Sequence, residues 1–127
     1  MEKRKLQCGC NVAPTLIFPC SGASDVGEIG DRAARALTKD GTGKMYCLAG
    51  IGGHVNTIIV NTQAAAKILA IDGCPVDCVK KSLQHAGFMK FEHLRITDLG
   101  LEKGKSPATE ERISLVAERG RSILTSK

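Results

Sequence analysis

The chain predicts an α/β fold: three layers, α/β/α, around a mostly parallel four-stranded sheet. Apolar runs of strand length alternate with stretches of helical periodicity. Helix-starting and helix-stopping residues stand at many of the joins. The resulting order, β-α-β-α-β-α-β-α, returns each strand through a right-handed helical crossover, which makes neighbouring strands parallel.

Ala13 to Phe18 is the first strand. Asp25 reads as the cap of the first helix, with Glu28 closing a capping box. Val26, Ile29, Ala33, Ala36 and Leu37 form its apolar face, and it runs to about Lys39 before the break Asp40-Gly41-Thr42-Gly43. Lys44 to Ala49 is the second strand, followed by a Gly50-Ile51-Gly52-Gly53 turn. Val55, Ile58, Ile59, Thr62 and Ala65 suit a short helix, although their β-branched content also permits a strand. Lys67 to Asp72 is the third strand. Pro75 then sits at the first position of a helix, whose face is Val76, Val79, Leu83 and Ala86 and whose end is Gly87. Phe91 to Thr97 is the fourth strand. Ser106 reads as the cap of the last helix, with Pro107 first in it and Ile113, Val116, Ala117, Gly120 and Leu124 on its buried side. Residues 1–12 read as a mobile arm and residues 13–127 as a single α/β domain.

A chain of 127 residues buries roughly two-thirds of its unfolded surface, so it needs no metal or disulfide merely to fold. Lys3, Arg4 and Lys5 follow Met1 with no apolar region behind them, so no secretory signal is expected. No run of about 18 apolar residues exists to span a membrane. The expected compartment is the cytoplasm, where cysteines serve as metal ligands or reactive thiols rather than as structural bridges. The net charge of +5 is spread out and accompanied by three Phe, one Tyr and no Trp, which argues against a nucleic-acid surface built on stacking aromatics.

Four of the six cysteines fall where such a fold builds a site. Cys20, Cys47 and Cys74 each stand at or near the end of a strand, and Cys78 follows Cys74 by four residues. Open α/β sheets bind ligands at the carboxyl ends of their strands, so thiols spread over residues 20 to 78 would meet on one edge. With Pro75 opening the helix, Cys74 would take its cap, where backbone N–H groups and the helix dipole favour thiolate. Cys78 would share its helix face. Cys20 heads the small-residue loop Ser21-Gly22-Ala23-Ser24 before the first helix. Each of the four also has a plainer reading as a buried, apolar thiol, and Cys47, inside an apolar run, most of all. Cys8 and Cys10 fit either a chelating pair or a simple tail. His54 reads as a loop residue or a ligand. Asp72 and Asp77 flank Cys74 as candidates to orient a ligand.

A strand followed by a cysteine-headed loop is similar to low-molecular-weight tyrosine phosphatases and related arsenate reductases. Those carry Cys-x5-Arg, and Val26 occupies the arginine's place, so phosphatase chemistry is not expected. Three segments together resemble the DGC family of small zinc-binding proteins: Pro19-Cys20-Ser21-Gly22-Ala23-Ser24-Asp25-Val26-Gly27, Cys47-Leu48-Ala49-Gly50-Ile51-Gly52-Gly53-His54 and Ile71-Asp72-Gly73-Cys74-Pro75-Val76-Asp77-Cys78. The resemblance covers about residues 14–104. It implies a zinc or other soft-metal site made of Cys20, Cys47, Cys74 and Cys78. The alternative is a thiol oxidoreductase or sulfur-transfer enzyme with Cys74 or Cys20 as nucleophile. A third reading is a partner-binding module with a purely structural site. No general base stands out.

Overall fold

The computed structural model describes residues 13–126; the expected arm, with Cys8 and Cys10, lies outside them. The elements are β1 (Thr15–Pro19), α1 (Asp25–Lys39), β2 (Lys44–Met45), α2 (Leu48–Gly52), α3 (Asn56–Gln63), β3 (Lys67–Asp72), α4 (Cys78–His85), β4 (Glu92–Arg95), a 3₁₀ turn (Ile96–Leu99) and α5 (Glu110–Thr125). The sheet order is β2-β1-β3-β4, and all three pairings are parallel.

Alternate residues of the strands feed two cores. Ile17, Leu69, Ile71 and Leu94 face α1 and α5. Leu16, Phe18, Ile68 and Ala70 face Ile51 of α2 and Val79 and Leu83 of α4, with Ile58 and Ile59 of α3 packed alongside. Buried on both sides, β1 and β3 are continuous apolar runs, as central parallel strands are. β1 and β3 are neighbours whose crossovers leave in opposite directions. This reversal opens a crevice at their carboxyl ends.

Several element boundaries differ from the sequence expectation, each for a local reason. β2 is an edge strand of two residues, extended by one bond from Tyr46 N–H to the Ile17 carbonyl at 2.8 Å. The chain then turns into α2, so the expected glycine turn is helical. A side chain at Gly50 would stand 2.6 Å from Ile58, and this close approach lets α2 lie on α3. The α1 cap is Ser24, whose Oγ accepts from Gly27 N–H at 3.1 Å. Asp25 is thereby released to hold a distant loop. The last helix starts at Glu110 on a Thr109 cap rather than at Ser106-Pro107. Ser106 is buried: its Oγ accepts from Glu102 N–H at 2.8 Å and its N–H donates to Asp25 Oδ2 at 2.9 Å. β4 is also shorter than expected, because Ile96 enters the 3₁₀ turn.

Candidate functional site

Because every strand is parallel, the residues that follow β1, β2 and β3 emerge on one edge. Cys47 follows β2, Cys20 follows β1, and Cys74 follows β3 after Gly73. Cys20 and Cys74 therefore flank the β1/β3 reversal. All four described cysteines are free thiols; Cys20 and Cys74 are half-buried, and Cys47 and Cys78 are exposed.

The Cys20 N–H donates to the Ile71 carbonyl at 3.0 Å, which ties this residue to the end of β3. Ser21, next in the chain, takes the left-handed conformation at φ 52°, and its hydroxyl donates to Asp31 at 2.7 Å. The loop after it passes so close to α1 that a side chain at Gly27 would lie 2.6 Å from the Gly22 carbonyl oxygen. Only glycine leaves room there. Cys20 and Cys47 line one open cleft of about 1180 Å³ between α1, β2 and α2, with Tyr46 and Leu48 in its wall.

Cys74 does not cap α4. The helix begins at Cys78, and its cap is Asp77, held at φ 57° and ψ 47°. The reason lies seven residues back. Asp72, buried at the end of β3, accepts the Val79 N–H at 2.7 Å on Oδ1 and the Lys80 N–H at 3.1 Å on Oδ2. It thus satisfies the two donors that a local cap residue would otherwise hold. Pro75 and Val76 stay in an exposed turn, so the expected sharing of one helix face by Cys74 and Cys78 does not arise. Cys74 instead meets Lys103, whose Nζ lies 3.7 Å from Sγ. Gly73 makes the turn fit: a side chain there would stand 3.0 Å from Val26 Cγ2 and 3.1 Å from Gly27 N.

Asp72 also accepts from His93 Nε2 at 2.9 Å, and Asp77 lies 3.7 Å from the same nitrogen. Among the described residues, Asp72, Asp77 and His93 are the group of three or more side chains whose ligating atoms all lie within 4.8 Å of one another. No three of the described cysteines form such a group. Two carboxylates and an imidazole suit a divalent cation in donor type, yet each is already engaged. Both Asp72 oxygens accept backbone N–H groups. Arg95 forks onto Asp77 at 2.9 and 2.6 Å, and its hydrogen bonds hold that carboxyl below the usual carboxylate range. His93 Nε2 must carry a proton to donate to Asp72, so it is not a free ligand atom. The network fastens α4 to β4. Its signal in the sequence is the period-two pair His93 and Arg95, which register opposite Ala70 and Asp72 on one sheet face.

His54, the other histidine of interest, is exposed at φ 53°. Its ring meets His85 edge to face, with centroids 6.0 Å apart. No described helix is long and apolar enough to cross a membrane.

No solved structure matches the chain. A curated relative from Pseudomonas aeruginosa strain PAO1, the Anaerobic and virulence modulator AnvM, is 35% identical over 88 residues, covering 69% of this chain and 67% of its own length. The DGC domain matches residues 16–119, a span that takes in the Cys20 loop, Cys47 and the Asp72-Gly73-Cys74 turn, and the chain belongs to the DGC family.

Proposed function

We propose that the chain binds a soft metal ion, zinc by default, through Cys20, Cys47, Cys74 and Cys78. The observation that supports this reading is that the free thiols of Cys20, Cys47 and Cys74 follow three parallel strands onto one sheet edge, with Cys78 at the start of the next helix. The donor chemistry fits: thiolates select zinc and other soft ions. Tetrahedral coordination at about 2.3 Å per bond brings sulfurs to about 3.8 Å from one another, closer than any three of them stand in this conformation. Binding would require these thiols to come closer together than they stand here. A thiolate site is also sensitive to oxygen, which accords with a relative named as an anaerobic modulator.

The test is metal content and free thiols measured together on protein purified without oxygen or chelator. About one ion per chain, with four thiols protected until it is removed, is the expected result. Unchanged metal content after Cys74→Ser with Cys78→Ser refutes the reading.

One contact favours a second reading. The Lys103 ammonium beside Cys74 Sγ suits an anionic sulfur, and so a Cys74 that attacks disulfides or persulfides. Metal-free protein whose Cys74 alkylates fastest, and more slowly in Lys103→Ala, would support it.

A further inference from the structure

The cleft that holds Cys47 also carries a charge pattern. Arg35 and Lys39 of α1 and Lys44 of β2 line it together with one carboxylate, Asp31. Asp31 is bound by Ser21 and by Arg35 Nε at 2.7 Å, so the cationic side chains outweigh it. Tyr46 and Leu48 supply apolar wall, and the exposed Cys47 opens onto the same space. The volume of about 1180 Å³ is ample for a small organic molecule. Cations on the rim, apolar surface within and a thiol at hand are complementary to a small, carboxylate-bearing sulfur compound.

We propose that this cleft receives an anionic low-molecular-weight disulfide and that Cys47 forms a mixed disulfide with it. The Cys47 thiolate attacks one sulfur of R–S–S–R. A bond forms between Sγ and that sulfur, and the R–S–S–R bond breaks. The second half departs as R–S⁻ and takes up the proton that Cys47 gave up. Cys47 is oxidised and the departing half is reduced, so the disulfide itself is the oxidant. The lysines guide the carboxylates to the rim and raise the encounter rate. The proposal concerns the metal-free chain, because a Cys47 held as a metal ligand has no free sulfur with which to attack.

The test compares three disulfides on the full chain after reduction, chelator treatment and desalting: glutathione disulfide, which is anionic, bis(2-hydroxyethyl) disulfide, which is neutral, and cystamine, which is cationic. Trypsin releases Met45–Lys67 from the parent and the 36–67 peptide from a chain lacking Lys39 and Lys44; Cys47 is the sole cysteine of either, so mass spectrometry follows this adduct directly. Glutathione disulfide should modify Cys47 about tenfold faster than the neutral reagent, at the low end of rate gains from charge steering. Added salt should erode that preference. Lys39→Ala with Lys44→Ala should largely abolish it while leaving the neutral reagent's rate unchanged. Equal rates with all three reagents, or a preference untouched by both salt and the lysine changes, would overturn the proposal.

Discussion

Asp72→Ala tests the claim that a side chain at the end of β3 sets the start of α4. The substitution removes the acceptor of the Val79 and Lys80 N–H groups. Loss of a helix cap costs about 0.5–2 kcal/mol. Val79 is fully buried, so its stranded N–H moves the cost of that same bond to the top of about 1–3 kcal/mol. Lys80 is half-buried and His93 sits at 21% side-chain exposure, so water can replace Asp72 for both. The loss is then about 3 kcal/mol, and with a urea slope near 1.5 kcal/mol per molar the midpoint should fall by about 2 M. Asp72→Asn keeps one acceptor and sets its amide against a donor, so it should lose about half as much. Urea titration followed by circular dichroism measures both. A loss below about 0.5 kcal/mol for Asp72→Ala, the ordinary size of a surface change, would show that α4 is anchored by something else.

Gly73→Ala should destabilise by about 1–3 kcal/mol, because the added carbon meets Val26 and the Gly27 backbone and the backbone cannot yield cheaply; thermal melting reads this. Arg95→Met should lower the melting point by removing the forked partner of the buried Asp77 carboxylate and leaving only the more distant His93 beside it, and adding Asp77→Asn should recover part of the loss in the same melt. Acid should also weaken the fold. Asp25 is held low first by the Gly104 and Ser106 N–H groups, Asp31 by Arg35 and Ser21 against the opposing effect of burial, Asp77 by Arg95, and Asp40, at about 2, by Thr42 and Arg121. These folded values lie below the unfolded ones. The stabilisation is therefore complete above about pH 4 and is lost as pH falls towards 2; a chemical-denaturation series across that window should show a steady decline, and a flat profile would refute it.

The parts legible in the sequence are those fixed by local pattern. β1, β3 and the face of α1 follow from apolar periodicity, and four parallel strands follow from their alternation with helices. The starts of α4 and α5 differ from the sequence expectation for one cause: a local capping signal is overruled by a partner elsewhere in the chain. Pro75 has the look of a first helical residue, but Asp72 gathers the helix donors and moves the start to Cys78. Ser106-Pro107 has the same look, but Asp25 holds the Ser106 N–H across the fold. The edge position of the cysteines was readable because it depends only on strand direction. The His93–Asp72 contact was not, because it needs the register of β4 on β3.

The Asp72-Gly73-Cys74 tripeptide divides its work among its residues. Asp72 anchors α4, Gly73 lets the turn press against the first turn of α1, and Cys74 presents sulfur to solvent and to Lys103. The first two roles are structural and act through the backbone of two helices that border the thiol edge. Changes at Asp72 or Gly73 therefore displace Cys74 and Cys78 together while they lower stability. Cys74→Ser removes a single half-buried sulfur at the margin of the core. In metal-free protein it should leave the melting point within a few degrees of the parent, a shift worth about 1 kcal/mol or less. Stability and thiol chemistry are thus separable at Cys74 and inseparable at its two neighbours. A metal-free Cys74→Ser protein that melted as early as metal-free Asp72→Ala would instead make the sulfur a structural residue, whereas an early melt confined to metal-loaded protein would report a lost ligand.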